Sequence, residues 1–252
     1  MRFDVITLFP DLFEPFLRTG ITRRAFESGQ VQVCLHNLRD HAEGNYRRVD
    51  DRPFGGGPGM VMMAEPLSLA LAQAQAQAQA QRSTPAKVIL FSPQGRVLDH
   101  DTVQRWAASE GAVLVCGRYE GLDQRFVDRY VDEQISLGDF VVSGGELPAM
   151  LFLDAIARLQ PEVLSDAQSH QQDSFNPALD GLLDCPHYTR PEDWQGRLVP
   201  EVLLSGHHER IERWRRDQRL LLTARLRPEL IAAARATGAL GAEDEKLLRG
   251  TP

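Results

Sequence analysis

The chain has 252 residues, 42% of them hydrophobic and 25% charged, a composition ordinary for a soluble enzyme of one large or two modest domains. A net charge of −7 argues against a generically basic nucleic-acid binder, so any RNA contact must come from a local basic face. Arginine outnumbers lysine 26 to 2 along the whole chain, which reads as a genome bias rather than a phosphate-binding device.

From the N-terminus, no basic leader precedes a long apolar core, and no run reaches the length of a membrane span, so a cytoplasmic protein is expected. Val5 to Phe9 and Val31 to Leu35 read as strands, with helical spacing from Asp11 to Ser28 and a stop near Gly29. Gly55-Gly56-Gly57-Pro58-Gly59 follows Asp50-Asp51-Arg52-Pro53-Phe54 and must be a loop. Its bare amides suit phosphate, but no Gly-Lys-Ser/Thr follows, so it is not a Walker A loop. A helix after Pro66 runs through five Ala-Gln pairs, residues 72–81, read as a solvent-facing extension ending before Pro85.

Three short apolar runs then each enter a glycine-bearing turn. They are 88–91 into Ser92-Pro93-Gln94-Gly95, 113–116 into Gly117-Arg118-Tyr119-Glu120-Gly121, and 135–142 into Ser143-Gly144-Gly145-Glu146. Buried strands bounded by Gly and Pro have this pattern. Ligands in open α/β sheets sit where loops leave the carboxyl ends of the strands. The expectation is one small-molecule pocket lined mainly by main chain.

Helices are predicted over 101–108 and 147–159, which makes the sheet largely parallel and the fold α/β. Ser143-Gly144-Gly145-Glu146 fits a capping box, a role for Glu146 that needs no chemistry. Arg158 stands four residues after Asp154, either as an ion pair or as a substrate contact at the end of an apolar helix. Residues 160–180 are polar and read as a linker or functional loop, within which Asp173 cannot be ranked above Asp180 or Asp184 on sequence physics. Cys185 and His187 lie close together in a segment best read as a structural turn. The three cysteines, Cys34, Cys116 and Cys185, signal neither disulfides nor zinc, and no metal ligands are assigned. Residues 207–236 look helical with a break near Pro228, and eight Arg against four acids leave a local net of +4.

The segments VDDRPFGGGPGM (49–60), CGRYEGLD (116–123), LGDFVVSGGELP (137–148), GLLDCPHYTRP (181–191) and LLSGHHERIERW (203–214) resemble the bacterial tRNA (guanine-N1)-methyltransferase family, TrmD. The resemblance spans residues 1 to about 230. It implies a SPOUT-type parallel sheet with a C-terminal trefoil knot over 1–160, a linker over 161–180, and a small helical tRNA-binding domain over 181–252. It further implies S-adenosylmethionine as methyl donor and a homodimer with the active site at its interface. The target would be the guanosine immediately 3′ of the anticodon, preceded by another guanosine. Partners would be tRNA and a second copy, with neither DNA nor a membrane; Mg2+ dependence is implied, although no ligand cluster stands out.

Carried over, the donor site would comprise Ser92, Pro93, Gly117, Tyr119, Leu137, Gly138, Asp139, Phe140, Val141, Val142, Gly144 and Gly145. Asp173 would be the general base and Arg158 would hold the target base. Glu120 would sit near the reacting centre, and Asp50, Arg52 and Gly59 would help form the tRNA side. Phe54 and Phe140 stand where the family often has Tyr, and the Ala-Gln tract looks like an insertion.

Overall fold

A computed structural model describes residues 1–79, 84–164 and 169–250. The chain divides into two compact units, Met1–Leu164 and Ser165–Pro252.

The first unit runs β1 (Arg2–Thr7), α1 (Phe13–Arg18), α2 (Arg23–Glu27), β2 (Gln32–Asn37), a short hairpin β3 (Asp50–Asp51) and β4 (Val61–Met62), and α3 (Ala64–Gln79). It continues with β5 (Lys87–Val97), α4 (His100–Ala107), β6 (Ala112–Val115), α5 (Gln124–Tyr130), β7 (Glu133–Ser136) and α6 (Glu146–Ala157). Five strands form one parallel sheet in the order β2-β1-β6-β5-β7. Alternate side chains leave opposite faces of a strand. Phe3, Val5, Ile89 and Leu114 accordingly pack with Phe13, Trp106 and Phe152 on one side. Ile6, Val88 and Val113 pack with Leu67, Leu71 and Phe126 on the other. Phe152 of α6 meets Phe3, Phe91 and Trp106 edge-on, with centroids 5.8–6.2 Å apart.

Several expectations need correction. β1 starts at Arg2 rather than Val5, because its charged residues are satisfied inside the fold. Asp4 is fully buried and accepts from Arg2 (2.7 Å) and lies 2.9 Å from His36 Nε2. The helix expected over Asp11–Ser28 is two short helices, split where Gly20 adopts φ +77. The Ala-Gln tract is not simply solvent-facing. Ala70, Ala74 and Ala78, four residues apart, are buried on one face of α3, and Arg2 Nη1 donates to the Gln77 carbonyl. Ala80 and Gln81, the last pair, lie outside the described residues.

In the second unit, turns at Ser169–Gln172 and Pro177–Leu179 precede a hairpin of β8 (Asp193–Trp194) and β9 (Arg197–Leu198). Helices α7 (Glu201–Leu204), α8 (His208–Leu226), α9 (Pro228–Ala236) and α10 (Ala242–Arg249) follow, around Leu182, Leu220, Ile231 and Ala234. The break before Pro228 is as expected, with Pro at the first position of α9, where its missing N–H costs nothing. Most of the basic stretch is neutralised internally. Arg216 bridges Asp180 and Asp244, Arg213 pairs with Asp217, and Arg219 with Asp184. Arg215, Arg227 and Arg235 pair with Glu212, Glu229 and Glu245. Among the described residues, Arg210 and Arg225 are the two of the eight without a carboxylate partner.

Candidate active site

The three glycine-bearing turns, the second and third beyond the carboxyl ends of β6 and β7, meet around one cavity of about 480 Å³. The first is a bulge inside β5: Phe91 and Arg96 both align with Ile135, and residues 92–95 loop out between them. Gly95 is required there, since a Cβ would lie 2.4 Å from the Gln134 carbonyl carbon. The third turn closes on the second through Gly145 N–H, which donates to Gly117 O at 2.9 Å. A Cβ at Gly145 would stand 2.7 Å from Cys116 Cα, so the wall there must be main chain.

Of the expected donor residues, Ser92, Pro93, Gly117, Tyr119, Leu137, Phe140, Val141, Val142, Gly144 and Gly145 line this cavity, and Glu120 joins them. Gly138 and Asp139 do not line it. Gly138, at φ +136, shapes the turn and donates to Ser136 Oγ. Sequence reading missed Gln94, Arg118, Gln124 and Gln134, which also line it. Only Gln94 and Arg118 lie in the glycine turns, and nothing in residue type marks the other two.

Glu146 departs from the capping-box expectation. It is the first residue of α6, Gly145 is the N-cap, and no side chain caps the helix. Its carboxylate, 1% exposed, instead accepts from Thr7 Oγ1 and Arg118 Nε, both at 2.8 Å. Arg118 also donates to Ser143 O and lies 4.4 Å over the Phe9 ring.

The β3–β4 hairpin is stitched to the second turn. Glu120 N–H donates to Met60 O, Met62 N–H to Gly121 O and Asp123 N–H to Met62 O. Gly59 thereby lies against Glu120, whose Oε1 would be 2.4 Å from a Cβ at that position. Burial, and then the neighbouring Asp50 carboxylate, push the Tyr119 phenol above its ordinary value while Arg39 pulls it down. Arg52 faces away, into a separate groove with α5.

Arg158 does not line this cavity, and Asp173 belongs to the second unit. Arg158 is the C-cap of α6, about 20 Å of helix from Gly145. There it lines another hollow with Asp154, Phe16 and Thr19–Thr22. Asp173 lies in the second unit, half-buried, its carbonyl accepting from Asn176 N–H. Cys185 is buried and His187 Nε2 lies 2.8 Å from Asp184 Oδ2, held with Arg219 in a turn. Burial pushes the Cys185 thiol up, which disfavours a nucleophilic thiolate. No helix among the described residues is long and apolar enough to cross a membrane.

The family model described as tRNA (Guanine-1)-methyltransferase TrmD matches residues 1–233. A protein of Albidiferax ferrireducens named tRNA (guanine-N(1)-)-methyltransferase is 71% identical, covering 98% of this chain and 98% of its own length. Proteins of the same name from Paracidovorax citrulli (68%; 98% and 97% covered) and Burkholderia mallei (56%; 98% and 93%) are also similar. With matches over nearly its whole length, the chain belongs to the tRNA (guanine-N1)-methyltransferase TrmD family.

Proposed function

We propose that this chain, a tRNA (guanine-N1)-methyltransferase by family, uses S-adenosylmethionine to methylate the guanosine immediately 3′ of the anticodon. The observation that carries this reading is the convergence of three glycine turns on one cavity of about 480 Å³. That volume is within the roughly 300–1,000 Å³ usual for small-molecule sites. Its main-chain wall at Gly117 and Gly144 offers backbone polar groups to a polar heterocycle, and Phe140 and Val141 offer apolar cover. The bound donor supplies an electrophilic methyl group.

The chain's residues then have to make N1 a nucleophile. An amide-like N1–H is a poor one, so Asp173 takes its proton as the N1–carbon bond forms and the carbon–sulfur bond breaks. The electron pair of the broken bond leaves with sulfur. Arg158 donates to the base oxygen on which negative charge grows. Alignment supplies most of the remaining acceleration.

A homodimer with a shared site fits the surface of α6. Leu147 and Leu151 are 57% and 50% exposed, and Asp154 and Arg158 continue the same stripe at helical spacing. Phe9, Leu12 and Ile21 add exposed apolar area on the same unit. Antiparallel pairing of two such helices would set each chain's Arg158 beside the other's cavity. The close backbone crossings at Gly95 and Gly145 suit a knotted SPOUT domain over residues 1–160. Residues 161–180 would act as linker, and 181–252 would bind tRNA in the cytoplasm.

For Mg2+ the fit is poor. Among the described residues the one metal-competent group is Asp184, Cys185 and His187, a thiol-containing set unlike magnesium's oxygen ligands. No step is routed through it.

The test is methyl transfer from labelled S-adenosylmethionine to an unmodified tRNA with guanosine 3′ of its anticodon, against a matched adenosine transcript. Label recovered as N1-methylguanosine from the first alone is the expected result. Donor binding without transfer to either would leave a non-catalytic RNA-binding protein.

A further inference from the structure

A second groove, of about 930 Å³, lies between residues 51–54 before the glycine loop, the start of α3, and α5. It shares Leu122 and Gln124 with the cavity proposed to hold the donor, so the two adjoin at these residues. The Phe54 ring stands at its rim and is 99% exposed, an unusual position for a phenyl group with no polar handle. Three successive glycines follow it at φ +84, +79 and +123. They hold the loop in a left-handed path that other residues rarely adopt.

The charges lining this groove are of three kinds: ion pairs, unpaired guanidinium groups, and one exposed carboxylate, Glu65, with no ion-pair partner among the described residues. Arg48 pairs with Asp51 and Arg125 with Asp123, each at 2.6 Å. Arg52 and Arg129, both exposed and lining the groove, have no carboxylate partner among the described residues. Arg129 lies 5.3 Å from the Tyr130 ring centre, which leaves its N–H groups available to an incoming anion. An exposed flat ring beside two guanidinium groups outside ion pairs, against the single carboxylate of Glu65, matches a base and its phosphate.

We infer that this groove takes a nucleotide flanking the methylated guanosine, its base stacked on Phe54 and its phosphate held by Arg52 and Arg129. This rests on the tRNA substrate proposed above. Because Leu122 and Gln124 line both sites, the groove is next to the cavity and within reach of the strand leaving the reacting guanosine. Phe54 then acts as a positioning residue, contributing to RNA affinity without touching the donor.

The experiment uses the full-length protein, a fluorescein-labelled unmodified tRNA transcript, and the variants Phe54→Ala, Phe54→Trp, Phe54→Leu and Arg129→Ala. Base–aromatic stacking worth about 1–3 kcal/mol corresponds to roughly a 5- to 150-fold loss of affinity. Phe54→Ala and Phe54→Leu are expected to weaken tRNA binding in that range. Phe54→Trp should keep it, with donor affinity by calorimetry and sedimentation mass unchanged throughout. Arg129→Ala should weaken binding and flatten its salt dependence by about one released ion. Wild-type affinity in Phe54→Ala, or Phe54→Leu equal to Phe54→Trp, overturns the assignment. So does a change of sedimentation mass in Phe54→Ala, which would give the ring to a contact between copies. A wild-type protein that binds tRNA without methylating it would sink the proposed function while leaving these binding results to decide the groove.

Discussion

Arg118 Nε donates to Glu146 Oε2 at 2.8 Å, tying the turn after β6 to the first residue of α6. Thr7 at the end of β1 donates to the other carboxylate oxygen. One buried carboxylate thus joins three segments around the donor cavity, and the Arg118 side chain also reaches Ser143 of the third turn. Removing one partner of a buried pair strands the other charge, at a cost of about 3–5 kcal/mol. Arg118→Met should therefore destabilise the protein by that order and weaken donor binding, whereas Glu146→Gln should cost less because the amide still accepts from Thr7. Urea unfolding and donor titration by calorimetry check both. Equal stability of Arg118→Met and wild type would mean that the pair is solvated.

Gly145→Ala is a test of the main-chain wall. The added methyl would meet Cys116 Cα at 2.7 Å and Gly117 N at 2.9 Å, both backbone atoms that cannot swing aside. The two turns must separate, and the Gly145–Gly117 hydrogen bond with them. Donor affinity should fall at least tenfold, in line with the 1–3 kcal/mol typical of overpacking. Gly181→Ala, where no atom lies within 4 Å, should show only the strain of φ +70 and leave donor binding unchanged.

The three glycine turns that line the cavity were legible because glycine after a β-branched run marks a turn where backbone comes close to its neighbours. Arg118, Glu146 and Thr7 were not, because their partnership crosses up to 139 residues of chain and is invisible to local pattern. The same blindness placed β1 too late: Arg2 and Asp4 look like surface residues until His36 on the neighbouring strand is seen to share their carboxylate. The Ala-Gln tract misled in the opposite way. Its period of two hides a period of four, since only every second alanine faces the core.

That last point gives a paired prediction. Ala74 is fully buried and Ala76 exposed on the same helix. Ala74→Gln should lose about 1–3 kcal/mol through overpacking, while Ala76→Gln should stay within about 0.5 kcal/mol of wild type. Thermal unfolding of both variants is sufficient, and equal midpoints would restore the solvent-facing reading.

Asp4 predicts a response to acid. Burial pushes its carboxyl up, but hydrogen bonds from His36 and Arg2 outweigh this and hold it below the ordinary carboxylate value. A group with a lowered folded pKa contributes its stability above the unfolded value, about 3.9, and loses it as pH falls through the folded one. Wild type should thus lose stability below about pH 4 more steeply than Asp4→Asn. Asp4→Asn should start lower at pH 7, having lost the Arg2–Asp4 ion pair, and the gap should narrow with acid. Parallel curves between pH 7 and 3 would show that the carboxylate is not coupled to folding.

The separation of Arg158 from the donor cavity makes the shared-site proposal testable by mixing chains. Phe140→Asp damages the cavity at a residue 58% exposed, so folding should survive. Arg158→Ala damages the opposite end of α6. In a two-fold dimer whose sites each draw the cavity from one chain and Arg158 from the other, a mixed dimer has one doubly damaged site and one intact site. Random mixing makes half the dimers mixed, so activity should recover to roughly a quarter of wild type. If each site used its own chain's Arg158, every site would carry one defect and nothing would recover. The same mixture with Asp173→Ala in place of Arg158→Ala reports which chain supplies the base. Recovery in both mixtures, but none between Asp173→Ala and Arg158→Ala, would assign both groups to the chain opposite the donor.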